Sequence, residues 1–178
     1  MTVPVPSPER PAAVTLSAVL VRPATPADAV AVVGIARELV MDGGTFVFAP
    51  STSDDELRAY WFSPRGITFV ACDGEEVLGC YLLVPNQPGR GSHVANASYA
   101  VASRASRRGV GRAMGEHSLR EAAAGGYRAM QFNCVVSTNT PAVALWTKLG
   151  FAIVGRSPAS FDHPTLGYVD TLILYRTL

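Results

Sequence analysis

The chain has 178 residues and a formal net charge of +1, with only 16% of its residues charged. That length suits one domain with a full hydrophobic core and is short for two, and so small a charge excludes an extended basic surface for nucleic acid. Cys72, Cys80 and Cys134 have no paired spacing and, with three histidines spread along the chain, form no zinc pattern. A reduced, cytoplasmic setting and no metal are therefore expected.

Residues 1–15, MTVPVPSPERPAAVT, hold four prolines and no continuous apolar run, which predicts a flexible tail ahead of one domain spanning 16–178. No stretch reaches the ~18 apolar residues that cross a bilayer, so no membrane partner is expected. Leu16 to Arg22 is a candidate first strand, rich in β-branched residues. Pro23 to Pro26 turn the chain, and Thr25 with Asp28 opens a helix through about Val40, with Val30, Val33, Ile35 and Leu39 among its apolar positions. Gly43 and Gly44 end it. Thr52 or Ser53 caps a second, short helix whose first turn holds Asp54, Asp55 and Glu56. Phe46 and Phe48, between the two, have no clean period and either complete the core or wall a pocket.

Ile67 to Cys72 and Val77 to Val84 flank DGEE, a hairpin signal with Asp73-Gly74 in the turn. The loop from Pro85 to His93 returns the chain to a third strand, Val94 to Val101. The end of this strand and the residues after it, NASYAVASRASRRGVGR from Asn96 to Arg112, are the most informative stretch of the chain. A strand that releases into a glycine turn and then a helix start gathers unpaired backbone N–H groups at the positive end of the helix dipole, which makes an anion pocket. Arg107, Arg108 and Arg112 surround it, though a solvated tight turn explains the same residues. It is neither the GxGxxG dinucleotide fingerprint nor a P-loop.

The helix runs to about Ala124, where Gly125-Gly126 stop it. Gly111, Gly115, Ser118 and Ala122 on one side allow close approach of a sheet or ligand. Ala129 to Val136 is a strand reached by a crossover, consistent with a parallel pair. Alternation puts Gln131, Asn133 and Val135 on one side, Met130, Phe132 and Cys134 on the other. Gln131 and Asn133 are unexpected in a central strand; either they form a hydrogen-bonded pair at the rim or Asn133 faces a cleft. Pro141 falls in the first turn of a further helix ending at Gly150, with Ala142, Leu145, Trp146 and Leu149 as its stripe. Phe151 to Gly155 leads into a strand, PASFDHPTLG is an excursion, and Tyr168 to Arg176 is the last strand.

Two blocks carry a family resemblance. NTPAVALWTKLGF, Asn139 to Phe151, agrees with the pattern NxxAxxLYxKxGF at Asn139, Ala142, Leu145, Lys148, Gly150 and Phe151. With Val101 to Gly111 it resembles the GCN5-related N-acetyltransferase (GNAT) superfamily. In the loop block Gly109 and Gly111 match the small positions, whereas Ser106 stands where Gln or Arg is usual and Arg107 where glycine often is.

The resemblance implies an α/β fold: a central mixed, mostly antiparallel seven-stranded sheet, splayed in the middle and flanked by about four helices. It implies acetyl-CoA as cosubstrate, its pantetheine lying along a bulged strand that offers backbone groups around Asn96 to Val101, Ala100 and Val101 among the cofactor contacts. The pyrophosphate would lie on Arg107, Arg108, Gly109, Val110, Gly111 and Arg112, with Asn139, Ala142 and Trp146 on the far side. Direct transfer to a primary amine of a small molecule, amino acid or peptide terminus would follow in a ternary complex, with a homodimer admitted. The oxyanion donor is assigned to the backbone from Tyr99 to Val101, and Asn133 and Ser137 stand beside the thioester. Trp146 occupies the usual place of a tyrosine acid, leaving Ser137, Tyr175 or water; the base candidates include Glu38 and His163. A cleft without carboxylate or histidine near Asn133 would instead favour an acyl-CoA-binding module without chemistry, and a histidine base with a wide apolar channel an O-acyl or long-chain transferase.

Overall fold

The structure is a computed structural model, and it describes residues 19–178. The expected tail, 1–15, and the first residues of the expected first strand lie outside the described residues. Seven strands form one sheet: β1 (Leu20–Pro23), β2 (Ile67–Asp73), β3 (Glu76–Pro85), β4 (Val94–Val101), β5 (Ala129–Val136), β6 (Ala152–His163) and β7 (Gly167–Thr177). Their order is β1-β2-β3-β4-β5-β7-β6, antiparallel except for β4 and β5. Four α-helices join them: α1 (Ala29–Asp42), α2 (Asp54–Trp61), α3 (Val110–Ala124) and α4 (Thr140–Lys148).

β3 is the spine of the core. It is buried almost throughout on both faces, as a central strand between helix layers should be. Gly79 and Tyr81 face α3: a Cβ on Gly79 would stand 3.0 Å from the Met114 methyl and 2.9 Å from the Ala100 carbonyl, so α3 docks only because that side chain is missing. Tyr81 bonds His117 Nδ1 at 2.7 Å, and burial lowers the imidazole pKa, which makes His117 a neutral packing residue. Gly115 lets α4 approach α3, since its Cβ would lie 2.6 Å from Leu149 and 3.0 Å from Trp146.

The first helix layer is pinned by an ion pair. Asp28 is 7% exposed and takes two hydrogen bonds from Arg22, at 2.8 and 2.9 Å, and two from the amide and hydroxyl of Thr25, at 2.7 and 2.8 Å. The guanidinium bonds foremost, opposed by burial, hold the carboxyl well below its usual range. A depressed folded pKa contributes stability that is complete above the unfolded carboxylate pKa, near 4, and is lost as pH falls from there through the folded value. Asp28→Ala is expected to cost about 2–3 kcal/mol at pH 7 by urea unfolding, with a smaller cost at pH 3. An equal cost at both values would show that the charge contributes nothing.

Two expectations are corrected. PASFDHPTLG is no excursion: β6 continues through it to His163 and pairs with β7 again at Phe161↔Val169 and His163↔Gly167. Between Ser157 and Phe161 the register shifts and the strand bulges at Ala159 (φ 50°), whose N–H donates to Asp170 Oδ1 at 2.9 Å. The bulge accommodates Pro158, and the buried Phe161 restores the pairing. The second correction concerns the strand before the glycine loop. β4 keeps an unbroken register with β3 from Pro85↔Ala95 to Gly79↔Val101, and the bulge lies across the opening in β5, between Phe132 and Val135. It breaks the expected alternation, so Asn133 and Cys134 are exposed together.

Candidate active site

β4 and β5 pair only at Val94↔Ala129 and Ala95↔Met130, then part. The backbone of β4 at the parting is fixed by its other neighbour. Ala102 N–H donates to Leu78 O at 2.9 Å and Val94 O accepts from Asn86 N–H at 2.8 Å, so even-numbered residues turn their peptide groups to β3. By the period of two, Ala97, Tyr99 and Val101 turn their N–H and C=O toward the opening, beyond the last pair with β5. Ala100, expected at the cofactor, instead faces β3 and is buried.

The opening is a cleft of about 850 Å³. Its floor is β4 and β5, one end is the glycine loop and α3, and its walls are α4 and the segment after α1. Among the expected residues, Tyr99, Val101, Arg107, Gly109, Val110, Gly111, Arg112, Asn133, Asn139, Ala142 and Trp146 line it. A smaller hollow of about 510 Å³, against Ile67, Leu83 and Tyr127, lies away from this loop.

Two left-handed residues shape the loop, Arg107 at φ 63° and Gly109 at φ 79°. The first α-helical bond is Ala113 N–H to Gly109 O at 3.0 Å, so the amides from Gly109 to Arg112 belong to the turn that a helix leaves without internal acceptors. The surrounding arginines are not equivalent. Arg104 bonds Glu76 at 2.7 Å, Arg108 bonds Asp73 at 2.7 Å, and Arg112 bonds Glu116 at 2.7 Å. Among the described residues Arg107 makes no ion pair. It lines the cleft and Arg108 does not.

Arg107 also holds a conformation that costs a side-chain-bearing residue about 1–2 kcal/mol. Arg107→Gly is therefore expected to leave urea stability unchanged or raised by about 0.5–1 kcal/mol, after the entropy of glycine, while weakening binding of a phosphorylated ligand about tenfold. Stability and affinity moving down together would contradict this assignment.

Asn139 caps α4, its Oδ1 accepting the Ala142 N–H at 3.3 Å. Trp146 is 6% exposed and packs on Tyr99 and Phe132, with ring centroids 4.6 and 4.7 Å away. Phe151 stacks on Phe132 at 4.5 Å, reached through Gly150 at φ 85°. The second block thus joins α4 to β5 and α3. Tyr99 turns its hydroxyl to Ser118, 2.6 Å away, and burial raises its pKa. What Tyr99 offers the cleft is its backbone.

Besides Ala100 and Arg108, three residues expected to take part in the chemistry are not brought to the lining. Glu38 accepts from the amide and hydroxyl of Ser103, both at 3.1 Å, and so fastens α1 to the turn before the glycine loop. His163 ends β6, its Nδ1 accepting from the Thr165 amide at 3.3 Å. Ser137 is outside the lining, its amide donating to Asp170 O at 3.0 Å. Tyr175 is also outside, paired in β7 with Gln131 and Ala152. Asn133 satisfies both readings offered for it: it accepts from Gln131 at 2.8 Å, donates to Asn86 at 2.7 Å, and lines the cleft.

Tyr60 and Ser98 line the cleft as well, their hydroxyls 2.5 Å apart, and Tyr60 was hidden in the sequence because its helix reads as an ordinary capped one. Burial pushes the Tyr60 phenol up, so it stays neutral. Cys134 reaches the lining too; partial desolvation, only partly offset by a hydrogen bond from Thr171, raises its thiol. Among the described residues of the lining there is no carboxylate and no imidazole.

The model of the Acetyltransferase (GNAT) family matches residues 34–151. N-acetyltransferase aca1 of Schizosaccharomyces pombe is 34% identical over 98 residues, which are 54% of this chain and 47% of that one, so the match spans about half the length of this curated relative. A solved GCN5-related N-acetyltransferase from Kribbella flavida is 44% identical, covering 90% of this chain and 98% of its own, with a TM-score of 0.87. A phosphinothricin acetyltransferase from Sinorhizobium meliloti, solved in complex with acetyl-CoA, shares the fold at 22% identity and a TM-score of 0.79, covering 90% of this chain and 88% of its own. The family match, the splayed sheet and the glycine loop agree: the chain belongs to the acetyltransferase (GNAT) family.

Proposed function

We propose that the protein is an acetyl-CoA-dependent N-acetyltransferase that moves an acetyl group directly to a primary amine in a ternary complex. The observation that carries this reading is the row of cleft-facing peptide groups at Ala97, Tyr99 and Val101, which leads to the amides of Gly109 to Arg112. The row suits the amides of a pantetheine arm, and the loop with Arg107 suits a pyrophosphate.

In the reaction a neutral amine attacks the thioester carbonyl, a C–N bond forms, the C–S bond breaks, and one proton passes in net from nitrogen to sulfur. The oxyanion is assigned to the N–H of Tyr99 or Val101, a reading supported by their turning toward the cleft. Trp146 packs and donates nothing. With no acid or base among the described lining residues, the amine must arrive neutral and the proton moves through water or the Tyr60–Ser98 hydroxyls. The three thiols are free, which suits a cytosolic setting, and no helix among the described residues is long and apolar enough to cross a membrane.

Thiol release from acetyl-CoA across an amine panel, with intersecting initial-rate lines and no acetylated protein by mass spectrometry, is the expected result. Parallel lines with acetyl on Cys134 would overturn direct transfer. The lining without carboxylate or imidazole favours a second reading, an acyl-CoA-binding module without chemistry; tight acetyl-CoA binding with no thiol release for any amine would establish it.

A further inference from the structure

The side of the cleft turned toward α1 and α2 has its own composition. Asn96, Ser98 and Asn133 lie along its floor, and Phe46, Phe48 and Tyr60 stand over them. The rings are held by one another: Phe48 meets Tyr60 edge-on at 4.9 Å and stacks on Phe46 at 5.6 Å, and Phe46 stacks in turn on the buried Trp61 at 6.0 Å. The floor is equally fixed and uncharged, with Asn133 held by Gln131 and Asn86 and Ser98 held by Tyr60. The charged residues of the lining, Arg107 and Arg112, belong to the glycine loop and α3.

We propose that this aromatic wall and hydroxyl–amide floor are the acceptor subsite, and that it takes a small primary amine whose remainder is uncharged and about the size of an aromatic ring, with Ser98 receiving the amine's hydrogen bond. The proposal rests on the acetyltransferase reading. A polyamine would bring a second cation to a lining whose described residues include no carboxylate, and an amino acid would bring a carboxylate to a side whose described lining residues include no cation. A ring, in contrast, gains by packing on Phe48 and Tyr60. Burial keeps Tyr60 protonated, so the Tyr60–Ser98 pair remains a neutral anchor across the ordinary pH range.

The test measures thiol release by the full chain with benzylamine, putrescine and glycine, beside calorimetric titration with acetyl-CoA. Benzylamine is expected to exceed both others in kcat/KM by about 30-fold or more. Phe48→Ala should lower the benzylamine value about tenfold and narrow its lead over putrescine, whereas Ser98→Ala, which removes a hydrogen bond made by every amine, should lower all three values about tenfold; acetyl-CoA affinity should change less than about twofold in both. Benzylamine no better than putrescine or glycine, benzylamine not turned over while acetyl-CoA binds, or equal losses for all three amines in Phe48→Ala would each overturn the subsite. Absence of acetyl-CoA binding would overturn the reading beneath it.

Discussion

Gly111→Trp is expected to abolish acetyl-CoA binding, weakening it by more than about 100-fold, while the protein stays folded. Gly111 lies in the first turn of α3, where its φ needs no glycine. A Cβ there would meet Leu145 at 3.5 Å and Val101 at 3.9 Å, which is ordinary contact. Gly111→Ala should therefore bind acetyl-CoA within about threefold of wild type. An indole must project between Val101 and α4, into the space toward which the first-turn amides point. Thermal unfolding near the wild-type midpoint together with lost binding would place the pyrophosphate at this loop, and undiminished binding by the tryptophan variant would remove it from there.

The second large effect is expected at the strand edge. Val101 turns its N–H to the cleft, so Val101→Pro deletes a donor without removing a bond to β3. Ala100, the residue before it, is extended, as a pre-proline residue should be. If this amide holds the oxyanion, kcat falls by about 10²–10³ with the fold intact. Ala100→Pro is the control of opposite sense, because its N–H belongs to the β3 ladder: it should destabilise the protein by about 3 kcal/mol. Circular dichroism with urea titration separates the two. Wild-type kcat in Val101→Pro would shift the oxyanion role to Tyr99.

What was legible in the sequence is what local chemistry decides. Ser53, one of the two caps offered, forms with Glu56 the capping box of α2, Pro141 falls in the first turn of α4, and the glycines after α1 and α3 end them through left-handed backbone at Gly43 and Gly126. The glycine loop and the second family block were legible for the same reason, each being a short segment whose residues serve its own backbone. The far half of β6 was not, because Pro158 and the bulge at Ala159 break the alternation and pairing with the distant β7, at Asp170 and Val169 among others, holds the strand in place. The β5 bulge was hidden likewise, since its register belongs to β7.

The arginines make the point for the site. Arg104, Arg107, Arg108 and Arg112 look alike in sequence, and it is Glu76 and Asp73, from another hairpin, that occupy Arg104 and Arg108 and leave Arg107 to the cleft. Glu38 stays out of the cleft lining for a similar reason: its carboxylate is bonded to Ser103, on a turn far along the chain. Tyr60 became visible only when α2 set its hydroxyl against Ser98. Pairings between elements, not propensities within them, decide which polar groups reach the cleft.

Calorimetric titration of the wild-type chain with acetyl-CoA tests the central claim most directly. Saturable binding with one site per chain is the predicted result, weakened by Arg107→Gly and lost in Gly111→Trp. No binding at millimolar acetyl-CoA would contradict the account, leaving the splayed strands and the glycine loop as a fold without its ligand.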